Sequence, residues 1–438
     1  MALLRIRITL EDVEPEVWRL VEIGGDRSLS EVHDAIQIAM GWTDSHLHLF
    51  EHPDGRRWSD PLLDDDDVSE GDERTVALAE VLGAGPVRYE YDFGDSWSHR
   101  LELVDATDGD TTRVSLINGA RSAPPEDCGG APGYADLLSA MADPGALDHE
   151  LLTRWVSEPR LPWGDHEPFD PESLDIDAVN RRLRRRFDAA HVTGSWGTNL
   201  QEVVRRLPPG ALTAFGDHLD RAELGCPVLF DADLAADAVR PFAWLLDHVA
   251  DGGLKLTDTG RLPPASVRSA SRELGWDRRW IGTMNREDHV PMAADLREWA
   301  TKTALVRKYR GTLLLTRAGA AARRDPTVLL HQLASRALQV APKGVSREAA
   351  VLLLVELAAG AEPDLAALSE RVAFGLHMIG YAEEDRMSPP SAATASGLVS
   401  EVWGLLGMLG LVPGYVREPL PASRSALAGF ARVALQEV

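Results

Sequence analysis

The sequence predicts an α+β protein. An N-terminal mixed β-sheet with helices spans residues 1–190, and a mainly α-helical region with winged-helix-like units follows over 195–438. Three observations predict this. Several short segments before residue 190 alternate apolar and polar residues, the two-residue period of half-buried strands. After residue 195, segments of 10–18 residues bounded by Gly, Pro and Asp carry apolar side chains at helical spacing. The charge also changes abruptly. Residues 1–190 hold 41 acidic and 18 basic residues, whereas 191–438 hold 28 and 27. The change follows Arg181-Arg182-Leu183-Arg184-Arg185-Arg186, and Gly194-Ser195-Trp196-Gly197 reads as a breaker. A chain of 438 residues exceeds one typical core, which fits two or three domains.

In chain order, Leu4, Ile6, Ile8 and Leu10 predict a first strand, Pro15 a turn, and Val17–Ile23 a second strand. Ser28-Leu29-Ser30-Glu31 is a capping box, because the Ser28 hydroxyl can accept an orphan amide while Glu31 reaches back. Leu29, Val32, Ile36 and Met40 stripe the helix it opens, and Gly41 is its left-handed stop. A strand is expected at His46–Glu51, and residues 64–73 read as an acidic loop, in which the run Asp64–Asp67 is solvated with loose Ca²⁺ binding as the alternative. Strands are then expected at Arg88–Phe93, Trp97–Val104 and Val114–Ile117. Helices follow near Tyr134–Met141 and Leu147–Val156, then a crossing at Leu161–Gly164 and a last helix over Ile176–Phe187.

In the second half, Leu254-Lys255-Leu256-Thr257-Asp258-Thr259-Gly260 is echoed by Leu313-Leu314-Leu315-Thr316-Arg317-Ala318-Gly319. Helix, short strand, Leu-Thr-x-x-Gly and helix is how a winged-helix hairpin reads. Two such units over about 195–340, then a terminal helical part over 341–438, are the expectation.

Composition excludes several classes. No apolar run of about 18 residues occurs and the first ten residues lack a signal-like pattern, so neither a membrane span nor a signal peptide is expected. Cys128 and Cys226 lie far apart, which fits a reducing cytoplasm rather than a disulfide scaffold. The acidic first domain should repel nucleic acid. The opposite holds for residues 301–350, with 10 basic and 2 acidic residues. There Arg307, Lys308, Arg310, Arg317, Arg323 and Arg324, with Lys302, could lie along phosphates, form a solvated face, or dock against the acidic first domain.

Four N-terminal patterns together carry a resemblance. They are Pro15-Glu16-Val17-Trp18-Arg19; Leu29-Ser30-Glu31-Val32-His33 continuing to the run Gly41–Phe50; Tyr91-Asp92-Phe93-Gly94-Asp95-Ser96-Trp97-Ser98-His99; and Pro124-Pro125-Glu126-Asp127-Cys128-Gly129-Gly130 with Gly133-Tyr134. In order and spacing they resemble the plasmid pRiA4b ORF-3-like family, also known as passenger proteins of insertion elements, over about residues 1–190. The resemblance implies an α+β domain with a mixed sheet. It implies no substrate, cofactor or catalytic residue, and it links the chain to mobile DNA only by association.

The candidate site is His46, His48, Asp92, Asp95, Trp97, His99, Glu126 and Asp127. On a strand, His46 and His48 would share one face. They could then hold a divalent metal ion with Asp92 and Asp95, and Asp44 or His99 could complete the set. The alternative is that the histidines pair with acids at the rim of an aromatic core. Tyr89, Tyr91 and Phe93 share one strand face, and Asp92 or Asp95 can cap turn amides. His33 borders the apolar stripe of its helix and reads as a hydrogen-bonded structural histidine. Cys128, beside two acids, reads as packing or ligation rather than a nucleophile. Two functions follow. One is a non-enzymatic module that binds protein or DNA through its C-terminal region. The other is a metal-dependent hydrolase at the His/Asp cluster.

Overall fold

The computed structural model describes residues 2–60, 71–83, 85–157, 169–188, 196–250, 252–278, 284–383, 388–414, 419–421 and 423–436. The run Asp64–Asp67 and the crossing Leu161–Gly164 lie outside the described residues. Contacts divide the chain into two compact units, Met1–Gly194 with Leu207–Asp217, and Ser195–Arg206 with His218–Val438. No helix among the described residues is long and apolar enough to cross a membrane.

The first unit is built on an eight-stranded sheet. Its strands are β1 (Ala2–Leu10), β2 (Trp18–Gly24), β3 (His48–Glu51), β4 (Arg57–Ser59), β5 (Gly71–Asp72), β6 (Val87–Tyr91), β7 (Trp97–Asp108) and β8 (Ser115–Ala120). They lie in the order β5-β4-β3-β6-β7-β1-β2-β8. Every pairing is antiparallel except β4 with β5, so the sheet is mixed. The alternation in β1 works as expected. Leu4, Ile6, Ile8 and Leu10 are buried, while Arg5 on the other face pairs with its register partner Glu22 at 2.6 Å. The long strand β7 joins β6 to β1 and so holds the two halves of the sheet together.

Helix α1 (Leu29–Met40) carries both halves of the predicted capping box. Ser28 Oγ accepts the Glu31 amide at 3.3 Å, and Glu31 Oε2 accepts the Ser28 amide at 3.0 Å. Gly41 ends the helix at φ 83°, a conformation that costs glycine little. Helices α2 (Leu78–Leu82), α3 (Gly130–Ala142), α4 (His149–Ser157) and α5 (Ile176–Phe187) follow. Arg186 of α5 reaches Asp34 of α1 at 2.5 Å. One core joins sheet and helices, with Val32, Ile36, Phe50, Tyr89, Trp97 and Leu183 among its members.

The second unit is mainly helical. From Ala349 to its end, the helix Val345–Ala358 is buried on all sides, as expected of a central helix in a helical core. It packs on the helices Leu365–Met378, Ala392–Met408 and Ser423–Gln436. A small sheet sits among the other helices, with β9 (Leu254–Lys255), β10 (Val306–Tyr309) and β11 (Thr312–Leu315) in the order β10-β11-β9. Leu313 pairs directly with Leu254. The two copies of the sequence echo therefore supply neighbouring strands of one sheet rather than founding two separate units. Their conserved letters also serve different ends. Thr316 Oγ1 caps the next helix by accepting the Gly319 amide at 2.9 Å. Thr257 Oγ1 closes a turn by accepting the Arg261 amide at 3.1 Å.

Candidate functional site

Three loops of the first unit meet at one place. They are the connection from α1 to β3, the β6–β7 hairpin, and the loop before α3. The hairpin is organised by Asp92, which sits at φ 58°. Its Oδ1 accepts the amides of Gly94 at 2.9 Å and Asp95 at 3.3 Å, and its carbonyl accepts the Ser96 amide at 2.6 Å. Asp95 Oδ2 in turn accepts the Gly129 amide at 3.1 Å. A side chain at Gly130 would stand 2.6 Å from the Asp95 carbonyl oxygen, so this close approach requires glycine.

Glu126 ties the three loops together. It is buried, and it accepts the Tyr91 hydroxyl at 2.6 Å, the Thr43 amide at 3.0 Å and the Thr43 hydroxyl. The Tyr91 oxygen also accepts the Ser45 amide at 3.0 Å. Burial first, then the Glu126 charge, pushes the Tyr91 hydroxyl far above its ordinary range, so it stays a proton donor. The Asp92 amide donates to the Leu47 carbonyl at 2.9 Å. These bonds shape residues 43–47 as a loop, and β3 begins only at His48.

The result separates the two histidines, which corrects the expectation that they share a strand face. His46 is half-buried, with its Nε2 covered. Its Nε2 lies 3.1 Å from Asp127 Oδ1 and 3.5 Å from Asp92 Oδ2, yet makes no hydrogen bond with either. These three donor atoms all lie within 4.8 Å of one another. Bond lengths of about 2.0–2.2 Å place neighbouring ligands of one ion roughly 3–4 Å apart, so the set is near that size. Asp127, like Asp92, holds left-handed backbone, at φ 57°, a sparsely populated state that is often found at functional sites.

His48 points into the interior and pairs with Glu73 Oε2 at 2.7 Å. Its ring stacks on His33 with centroids 3.6 Å apart and planes 13° from parallel. His33 Nε2 meets Asp44 Oδ1 at 2.9 Å and its Nδ1 meets the Tyr89 hydroxyl at 2.9 Å. The Gln37 amide donates to the same hydroxyl at 3.0 Å. Burial pushes the Tyr89 hydroxyl well up, so it donates to His33 Nδ1, and His33 Nε2–H donates to Asp44. His33, Asp44 and His48 also offer close donor atoms. However, lone pairs of imidazole lie in the ring plane, and an ion in one plane of this stack would stand well out of the other. The buried group is a hydrogen-bonded network, in keeping with the structural role expected of His33. The end of the segment 64–73, expected as a loop, is ordered: Gly71–Asp72 form β5, and Glu73 opens a short 3-10 helix and is buried against His48.

The other predicted site residues are placed as follows. Asp95 is committed to the start of α3, so it does not join His46 as a ligand. Trp97 is buried and stacks near Trp42, with ring centroids 6.2 Å apart. His99 is fully buried, its Nδ1 donating to the Trp97 carbonyl at 3.0 Å. Burial pulls its pKa down to about 4, so it is neutral at pH 7 and belongs to the core. Of the four expected ligands, the structure brings His46 and Asp92 together and adds Asp127. Sequence reasoning did not single out Glu73, Gln37 or Thr43, whose partners are distant in sequence. Cys128 forms no disulfide, and a side chain at Gly133 would collide with its carbonyl oxygen.

In the second unit, Arg307, Lys308 and Arg310 are exposed on the β10–β11 hairpin. Arg317 opens the following helix, Arg317–Ala322, and Arg323 and Arg324 lie in the turn after it; all three are exposed, and Arg323 pairs with Asp247 at 2.6 Å.

Comparison with known proteins adds family but no activity. The family model described as plasmid pRiA4b ORF-3-like protein matches residues 2–178. The uncharacterized protein y4hQ of Sinorhizobium fredii (strain NBRC 101917 / NGR234) is 34% identical over 189 residues, which is 42% of this chain and 91% of that protein. The crystal structure of a protein of unknown function, MM3350 from Methanosarcina mazei Go1, is 26% identical. That match covers 40% of this chain and 96% of the other, with a TM-score of 0.34.

Proposed function

The chain belongs to the plasmid pRiA4b ORF-3-like family, and from that premise we propose that its N-terminal domain binds a divalent cation between His46 Nε2, Asp92 Oδ2 and Asp127 Oδ1. The observation that carries this is the gathering of one imidazole and two carboxylates within 4.8 Å, from buried Asp92 out to exposed Asp127, on backbone held by the Glu126 anchor. Asp92 divides its labour: Oδ1 organises the hairpin while Oδ2 faces His46. One nitrogen and two oxygen donors suit a borderline ion such as Mn²⁺ or Zn²⁺. The strongly acidic first domain would concentrate cations near the site. Three protein ligands leave positions for water. Polarising that water is the hydrolytic chemistry such an ion supplies, which makes metal-assisted hydrolysis the reaction class for this domain.

Calorimetric titration of the metal-free full chain with Mn²⁺ and Zn²⁺ tests the proposal. One site should be seen, weakened at least about tenfold by His46→Gln or Asp127→Asn. No uptake, or uptake that neither variant weakens, would overturn it.

A further inference from the structure

We propose that the second unit grips the phosphate backbone of duplex nucleic acid with its β10–β11 hairpin, not with the helix that precedes it. The inference concerns a different unit from the cation site and stands independently of it.

The topology gives the frame. The helix Ala232–Ala250, strand β9, helices Pro264–Glu273 and Pro291–Lys302, and the β10–β11 hairpin follow in order, with β11 central in the sheet. That is the connectivity of a winged helix, with the hairpin as wing. In such a module the third helix commonly enters a groove. Here its surface is unsuited to a polyanion. Met292, Leu296 and Trp299 are buried. Arg297 is held by Glu287 at 2.8 Å. Lys302 is held by Glu298 at 2.8 Å and by the Val340 carbonyl at 2.9 Å. The exposed charged residue of this helix is Glu298, an acid itself paired with Lys302.

The hairpin is the opposite. Arg307, Lys308, Tyr309 and Arg310 are consecutive and exposed. The guanidinium groups of Arg307 and Arg310 lie 5.5 and 5.2 Å from the centre of the Tyr309 ring. Arg310 and Gly311 have φ of 48° and 75°. Two positive values at the centre of a two-residue connection make a tight, twisted hairpin. Among the described residues, no carboxylate is paired with Arg307, Lys308, Arg310, Arg317 or Arg324. In a chain of net charge −24, unpaired cations gathered on one hairpin and its next helix await an anion from outside. Over residues 306–324, Tyr309 is the one exposed large apolar side chain. A protein partner would call for a broader apolar centre, whereas a phosphate backbone calls for cations alone. Edge protection would explain one charge on β10, but not the arginines that continue past the hairpin.

Fluorescence anisotropy of the full chain with a labelled 20-base-pair duplex, across a salt series, tests the proposal. Affinity should fall linearly with log salt. Arg307→Ala with Arg310→Ala should reduce the magnitude of that slope by about 2, roughly one per lost phosphate contact. Arg323→Ala, already paired with Asp247, should change it less. No binding at low salt, or a slope unmoved by the double variant, would overturn the proposal. So would poly-glutamate binding as tightly as the duplex, which would point to a generic anion or an acidic protein segment.

Discussion

The two histidine clusters of the first unit are built from the same residue types and differ in what their polar atoms face. In the inner cluster, His33, His48, Asp44, Glu73, Tyr89 and Gln37 satisfy one another. In the outer one, His46 Nε2 lies close to two carboxylates without bonding either. A satisfied buried network rigidifies a core, whereas a covered polar atom without a hydrogen bond calls for an explanation such as a ligand. Residue type and sequence spacing do not separate these cases. The hydrogen-bond inventory does: the inner group is satisfied within the core, whereas His46 Nε2 is left without a hydrogen bond.

The comparison breaks first at Glu73. Glu73→Ala would leave the buried His48 Nε2 without a partner, and removing one member of such a pair should cost about 3 kcal/mol. Urea unfolding measures it, and a loss under about 0.5 kcal/mol would mean that the inner cluster is not structural. Next comes pH. His99 is buried neutral with its pKa pulled down to about 4, whereas the unfolded chain protonates it near 6.5. The unfolded state therefore binds more protons between those values. Stability should be intact above about pH 6.5 and fall by about 1.4 kcal/mol per pH unit toward pH 4. His99→Gln should flatten that limb, as seen in thermal unfolding across pH. A smaller effect is expected for Tyr91→Phe. It removes the hydroxyl that joins Ser45 to Glu126, costing about 1–2 kcal/mol. By loosening the loop that carries His46, it should also weaken Mn²⁺ uptake in titration.

Much of the fold was legible. The β1 alternation and the Ser28–Glu31 capping box depend on neighbours in sequence, and both are found as read. The short edge strands β4 and β5 carry too few residues to show a period. The site was legible as a neighbourhood but not as a ligand set. His46 and His48 were read onto one strand because their spacing fits one. What denies it is the bond from Ser45 to Tyr91, 46 residues away. Glu73 ends a segment that reads as an acidic loop, and only packing shows it buried against His48. Asp127 stands beside Glu126 in the sequence, but its approach to His46 depends on a loop held by Asp95 and Tyr91.

The central claim is that the outer cluster, and not the inner one, takes the ion. Anomalous diffraction from crystals of the full chain soaked in Mn²⁺ tests it most directly. The account predicts a peak within about 2.0–2.3 Å of His46 Nε2, Asp92 Oδ2 and Asp127 Oδ1, absent in His46→Gln crystals treated alike. A peak between His33 and His48, or none at His46, would contradict it.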